Sequence, residues 1–120
     1  MRYMLATLLG AVFLVTWPGY AAAHAFLDHS TPSADAVLAT PPKSVKLWFS
    51  RALEPAFSTV RVVDDMGKQV DDGKPLVSDD TPKLIRVALQ PLSAGKYKVI
   101  WRIVALDGHK AMGEFAFTVK

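Results

Sequence analysis

The feature that most constrains the fold is an alternation of apolar and polar residues in short runs, which is strongest from Tyr97 to Ala105. Every second residue of that run is apolar, and Lys98 and Arg102 fall between them. A period of two is typical of a β-strand with one face in a core, and no stretch beyond residue 24 sustains the 3.6-residue period of a helix. The sequence therefore predicts an all-β chain.

Shorter runs repeat this alternation and are separated by turns rich in Pro, Gly and Asp. The other predicted strands are Ala25–His29, Ser44–Phe49, Thr59–Val63, Leu84–Leu89 and Gly113–Val119, with brief extended pieces at 68–70 and 76–77. Residues 33–39 are expected to form a brief turn of helix. Strands and turns at this spacing predict a Greek-key sandwich or barrel of about seven strands.

The first 23 residues have the pattern of an export signal. Arg2 supplies the charged start, residues 4–17 the apolar centre, and Ala21-Ala22-Ala23 the small-residue cleavage site. Cleavage after Ala23 is predicted, which leaves residues 24–120 as one domain. Cleavage after Ala25 is the alternative, and it would remove His24.

Composition excludes several classes of function. The 120 residues include no cysteine, which excludes disulfides, Cys-ligated zinc, Fe–S clusters, thiol catalysis and a thiolate-ligated blue-copper centre. The net charge of +3 is spread over interspersed acidic and basic residues, without a basic stripe bearing aromatic residues. No nucleic-acid partner is therefore expected.

Three residues form a candidate metal site. Cleavage after Ala23 would make His24 the first residue, so that its α-amine and Nδ1 could chelate a single ion. Continuing the strand alternation beyond Ala105 predicts that Asp107 and His109 leave the rim of the sheet side by side, pointing the same way. Nitrogen and oxygen donors of this kind suit copper(II), which prefers a tetragonal arrangement. The opposing interpretation is that Asp107-Gly108, a common turn dipeptide, is simply a loop.

Other polar residues are weaker candidates. His29 and Glu54 could assist the site, but a surface role is expected for each. Met66 and Met112 are isolated, whereas copper(I) needs clustered thioethers, so both are interpreted as gap fillers. No Ser-His-Asp order, nucleophile elbow or separated carboxylate pair stands out, so the chain is not predicted to be an enzyme.

A family resemblance extends over nearly all of residues 24–120. The residues that carry it are His24-Ala25, Leu27 and Ser30-Thr31-Pro32; Val45-Lys46-Leu47-Trp48-Phe49-Ser50; Glu54-Pro55-Ala56-Phe57; Ala94-Gly95-Lys96-Tyr97-Lys98-Val99 with Trp101-Arg102; and Asp107-Gly108-His109 with Gly113 and Phe115. Together they resemble the CopC family of periplasmic copper-resistance proteins. The resemblance implies a Greek-key fold of cupredoxin-like shape, with copper(II) bound by His24, Asp107 and His109.

Two features of the sequence, one residue and one loop, depart from the pattern of some family members. Arg51 stands where some members have a glutamate that approaches the copper(II) site, so an extra carboxylate ligand is not expected. Members that also bind copper(I) have a methionine-rich loop, whereas residues 64–74 contain a single methionine, Met66. The chain therefore resembles the copper(II)-only branch.

The leading hypothesis is a periplasmic copper(II) carrier that sequesters the ion or passes it to an inner-membrane copper transporter. The small net charge favours a monomer. One alternative is an enzyme, because an N-terminal histidine with a second histidine also resembles the histidine brace of copper-dependent polysaccharide monooxygenases. Against it, Asp107 would crowd the position that oxygen needs. The other alternative is a metal-free Ig-like interaction module.

Overall fold

The computed structural model describes residues 26–120, so the predicted export signal, its cleavage site and His24 lie outside the described residues. The strands are β1 (Leu27–Thr31), β2 (Val37–Leu38), β3 (Ser44–Phe49), β4 (Thr59–Asp64), β5 (Leu84–Ala88), β6 (Gly95–Val104) and β7 (Lys110–Val119). A single turn of 3-10 helix at Pro55–Phe57 lies between β3 and β4. Over residues 26–120, no helix has the length and apolar character needed to cross a membrane.

The strands form two sheets, one with the order β1-β3-β5 and one with the order β2-β7-β6-β4. All neighbouring strands are antiparallel except β2 and β7, which pair in parallel. From β1 to β6 each connection passes from one sheet to the other, and β6 and β7 then form a hairpin. The predicted seven-stranded all-β fold is confirmed, and the two separate sheets identify it as a sandwich.

The core lies between the sheets and is built from the alternating residues that the sequence shows. Trp101 and Phe117 are the largest fully buried side chains, and Leu47 and Ile85 face them from the other sheet. The ring of Phe49 meets Trp101 edge-on at 5.2 Å between centroids. Burying one such aliphatic or aromatic side chain contributes about 1.5–3 kcal/mol, so the interior of the sandwich is the main source of stability.

The predicted helical turn at residues 33–39 is wrong. Asp35 has a left-handed backbone with φ 63°, which interrupts a right-handed helix, and β2 follows at Val37–Leu38. The N–H groups of Asp35 and Thr118 donate to the carbonyl oxygens of Ala116 and Ala36 at 2.7 and 2.8 Å. Pairing with β7 thus satisfies backbone groups that a helix would have used.

A buried carboxylate fixes the connection that follows β4. Asp71 is only 4% exposed, and its Oδ2 accepts the backbone N–H of Val62 at 2.7 Å. Its Oδ1 accepts the side-chain amide of Gln69 at 2.8 Å and the N–H of Gly73 at 2.7 Å. These three hydrogen bonds compensate for burying the carboxylate and attach the segment to β4.

Candidate metal site

The candidate ligands Asp107 and His109 lie in the hairpin between β6 and β7. The N–H of Ala105 donates to the carbonyl of His109 at 2.8 Å, and the N–H of Gly108 donates to the carbonyl of Ala105 at 2.9 Å. Gly108 has φ 89°, in the left-handed region. These features are typical of a three-residue hairpin loop in which a type I turn is followed by a left-handed residue.

The predicted placement of Asp107 and His109 along one strand face is therefore wrong. Strand β6 ends at Val104, and the chain reverses before the alternation can continue. Asp107-Gly108 forms the turn that this dipeptide favours. The two side chains nevertheless meet, because the turn folds His109 back over the aspartate.

Contacts within the turn hold Asp107 and His109 together. Oδ1 of Asp107 accepts the backbone N–H of His109 at 3.0 Å and lies 2.9 Å from Nδ1 of the same histidine. The backbone N–H of His109 is the main reason that the pKa of Asp107 falls to about 2, and the side chains of His109 and Arg51 lower it further. The carboxylate is thus ionised, as a metal ligand must be, throughout the physiological pH range.

Arg51 is the residue of this site that sequence reasoning missed. Its Nη1 donates to Oδ2 of Asp107 at 2.6 Å and lies 3.0 Å from Nδ1 of His109. Its guanidinium carbon lies 4.5 Å from the centre of the Phe26 ring, a cation–π geometry. The sequence marks Arg51 only as a departure from the family pattern, and nothing local predicts a contact across more than fifty residues.

The contacts of His109 leave one ring nitrogen for a metal. Its Nδ1 lies between a carboxylate oxygen and a guanidinium nitrogen, so it either donates to Asp107 or accepts from Arg51, according to its tautomer. Its Nε2 has no hydrogen-bond partner among residues 26–120. A histidine held at one nitrogen and open at the other is the usual arrangement of a metal ligand.

The chain near its described start lies against the same hairpin. The carbonyl of Phe26 accepts the N–H of Ser50 at 2.7 Å, which fixes the backbone beside β3. The Phe26 ring centre is 6.2 Å from that of His109. Residue 26 is thus adjacent to the site, two residues after the predicted ligand His24.

The other candidates form no hydrogen bond, ion pair or ring contact with Asp107 or His109. His29 stacks on Trp48 with 4.4 Å between ring centres, and its Nδ1 lies 3.1 Å from Asp28. The side chain of Glu54, which precedes the 3-10 turn, forms no hydrogen bond or ion pair with residues 26–120. In this part of the chain no three His, Asp or Glu residues are grouped to hold a metal ion. Asp107 and His109 are therefore two candidate ligands, and a metal site that used them would need a further donor.

An apolar groove of about 860 Å³ lies beside the hairpin. Its lining includes Gly108, Phe57 and Met112, and the last two side chains are 69% and 55% exposed. Arg102 and Lys110 are the charged residues of the lining. The turn that bears Asp107 and His109 thus stands next to a surface that is both apolar and basic.

Residues 27–120 match the family model of the CopC domain. Protein YobA of Escherichia coli K12 is 33% identical over 121 aligned positions, covering 100% of this chain and 94% of YobA. Copper resistance protein C of Pseudomonas syringae pv. tomato is 34% identical over 125 positions, covering 99% of this chain and 97% of that protein. The crystal structure of CopC from Methylosinus trichosporium OB3b superposes with a TM-score of 0.75 at 37% identity, covering 79% of this chain and 92% of that one. The chain therefore belongs to the CopC family.

Proposed function

We propose that the chain is a periplasmic copper(II)-binding protein that sequesters or carries copper in copper resistance, with His24, Asp107 and His109 as its ligands. Relatives named copper resistance protein C support the role in copper resistance. The pattern of residues 1–23 supports export and cleavage after Ala23. The interspersed charges support a monomeric carrier.

The observation that carries the proposal is the contact between Phe26 and His109. Two residues of extended chain span at most about 7 Å, so a polypeptide that begins at His24 and passes Phe26 starts within reach of the hairpin. The α-amine and imidazole of His24 would supply the further donors that the pair Asp107 and His109 needs. With Nε2 of His109 and an oxygen of Asp107, the set comprises three nitrogens and one oxygen, which suits copper(II).

The test uses protein that begins at His24, compared with the same protein carrying one additional glycine before His24. The authentic form is expected to bind one copper(II) tightly in a competition titration, with a tetragonal EPR signal from mixed nitrogen and oxygen ligands. The extension should weaken binding sharply, because the amine next to the imidazole is then lost. His109→Ala should also weaken binding, whereas His29→Ala, the matched control, should not.

Equal and weak binding by both forms, at the level of a generic histidine peptide, would contradict the proposal and favour the metal-free interaction module. Oxidised sugars formed from polysaccharide in the presence of copper, reductant and oxygen would instead support the monooxygenase alternative.

Delivery to an inner-membrane copper transporter is the second part of the proposal. The groove beside Gly108 supports it, since exposed Phe57 and Met112 lie next to the metal ligands. Exposed apolar residues grouped in this way are typical of interaction surfaces. Arg102 and Lys110 would favour an apolar partner surface that carries acidic residues near its rim.

A further inference from the structure

We propose that Arg51 is an internal competitor of the metal, an inference that rests on the copper-binding function proposed above. In the metal-free protein its guanidinium neutralises the ligand carboxylate and keeps the two hairpin ligands in place. When copper(II) binds, the same guanidinium weakens its hold on the ion. Arg51 would thus set an affinity that allows the ion to be released.

The geometry at Asp107 shows which oxygen is contested. Oδ1 is used inside the turn, where it accepts the backbone N–H of His109 and contacts the imidazole. Oδ2 is therefore the oxygen left for a metal, and Nη1 of Arg51 binds that atom at 2.6 Å. A copper ion that takes Oδ2 must displace the guanidinium or share the oxygen with it.

The same nitrogen atom of Arg51 contacts both hairpin ligands. Nη1 lies 2.6 Å from the carboxylate of Asp107 and 3.0 Å from Nδ1 of His109, so in the tautomer with Nδ1 unprotonated it donates to both side chains. This contact holds the carboxylate and the imidazole close together before any metal arrives. Arg51 is thus a positioning residue as well as a competitor.

Phe26 also holds Arg51 at the site. The guanidinium lies over the Phe26 ring, whose residue is itself fixed through the bond between its carbonyl and the N–H of Ser50. The arginine is therefore held at the site and is not a freely moving surface side chain, although it is 41% exposed. Cation–π contact with Phe26 can keep the guanidinium nearby after it leaves Oδ2.

Electrostatic repulsion between Arg51 and copper(II) determines that Arg51 lowers the affinity for the ion. A unit positive charge about 5 Å from a divalent ion weakens binding roughly tenfold even in the dielectric of water. The charge-assisted hydrogen bond to Oδ2 must also be given up. Pre-organisation of the ligands acts in the opposite direction, but the backbone N–H of His109 already holds Asp107 without the arginine.

The experiment compares copper(II) affinity and the rate of copper release to a chelator in protein beginning at His24. Arg51→Gln is expected to bind about tenfold more tightly and to release copper more slowly, with an unchanged set of EPR ligands. Arg51→Lys keeps the charge, so it should remain closer to the wild-type affinity. Arg61→Gln is the matched control, because it removes the same charge from an exposed position. Arg61 lies in β4 and pairs with Ile100 of β6. Arg61→Gln should change affinity less than twofold.

The outcomes separate this inference from the proposed function. Tight copper binding by the wild type with equal or weaker binding by Arg51→Gln overturns the competitor role and leaves the copper-binding proposal intact. A gain of the same size in Arg61→Gln also overturns it, since the effect would then come from net charge alone. Failure of the wild type to bind copper(II) overturns both. Circular dichroism of each variant confirms that it is folded.

Discussion

The indole of Trp101 lies directly over the backbone of Gly113, its partner across the β6–β7 pair. A Cβ atom at position 113 would lie 2.8 Å from Cε2 of Trp101 and closer still to Cζ2. Both distances are shorter than ordinary van der Waals contact, so only glycine lets the indole fill this part of the core. Within residues 26–120 Trp101 is the largest fully buried side chain, and its contact with Gly113 packs the two strands of the hairpin that bears Asp107 and His109.

Gly113→Ala is expected to destabilise the protein by about 1–3 kcal/mol, the usual cost of overpacking a well-filled core. Denaturant unfolding of the variant and of the wild type measures this difference in the free energy of unfolding. The same substitution in a Trp101→Phe background is the control, because a phenyl ring is shorter and leaves room for the added methyl group. An equal cost in both backgrounds would contradict the proposed clash.

Gly108 gives a second prediction, since its φ of 89° is costly for residues with a Cβ. A Cβ there would meet no atom within 4 Å, so any effect of substitution comes from the backbone alone. Gly108→Ala is expected to cost about 1–2 kcal/mol of stability, and Gly108→Asn less, because asparagine tolerates the left-handed region. Thermal unfolding ranks the three proteins, and an alanine variant as stable as the wild type would contradict this account.

Copper affinity should follow the same order if the turn positions the ligands. The alanine variant is expected to bind more weakly than the asparagine variant, since a distorted turn separates Asp107 from His109. Competition titration of both variants measures this, and identical affinities would show that the turn geometry is not important for binding.

The sequence predicts the strands well where apolar residues alternate. Ser44–Phe49 is found with the bounds that its pattern predicts. Strand β7 begins at Lys110 instead of Gly113, because its first residues show little apolar alternation and pair only through the hairpin. Strand β2 has two residues and depends on a parallel pairing with the far end of the chain, which local pattern does not reveal.

The candidate site is likewise predicted only in part by the sequence. Asp107 and His109 are brought together as predicted, but a turn does this and not a continued strand. The sequence contains both patterns at this point, since the Asp-Gly dipeptide favours a turn and the alternation of apolar residues favours a strand. Arg51 could not be found from spacing, because its contacts depend on how β3 and the hairpin meet across the sandwich. The role of His24 lies outside the described residues and remains a prediction.

The pKa of Asp107, about 2, gives a prediction about pH. Because this value lies below the ordinary 3.8, the ionised carboxylate stabilises the folded turn fully above pH 3.8, and that contribution is lost as the pH falls through about 2. An NMR titration of the His109 amide should therefore show a midpoint near 2. In Arg51→Gln the midpoint should stay below 3.8, since the backbone N–H of His109 is the larger cause.

Acid release of copper should consequently occur well above the titration of Asp107. Protons that displace the metal would bind to the proposed nitrogen ligands, which must be deprotonated to hold copper. A release midpoint that coincides with the carboxylate titration would contradict the ligand set of three nitrogens.

Asp71 gives a prediction about stability that does not involve the metal. Asp71→Asn retains the size of the side chain but places an amide group against backbone N–H donors of Val62 or Gly73. The expected cost is about 1–3 kcal/mol, the penalty for leaving a buried polar group unsatisfied. Asp72→Asn is the matched control, because the exposed carboxylate of Asp72 accepts one hydrogen bond from residues 26–120, the N–H of Lys74. Urea unfolding should separate the two variants, and equal losses would refute the role given to Asp71.

The groove beside the hairpin predicts that binding and transfer of copper can be separated. Phe57→Ser and Met112→Ser remove exposed apolar side chains, so they should change stability by less than about 0.5 kcal/mol, as is usual at the surface. Copper(II) affinity should also stay unchanged, because neither side chain forms a hydrogen bond, ion pair or ring contact with Asp107 or His109. Growth on copper in a host that depends on this protein, or transfer to membranes from that host, should be impaired.

Met66→Ser is the control for that experiment. Met66 is the most exposed large apolar residue described, at 87%, but it lies in the turn after β4 and does not line the groove. Removing it takes away as much apolar surface without changing the area beside the ligands. If Met66→Ser impairs transfer as strongly as Phe57→Ser, a general loss of surface hydrophobicity explains the effect. Normal transfer by Phe57→Ser and Met112→Ser would contradict the role of the groove in transfer.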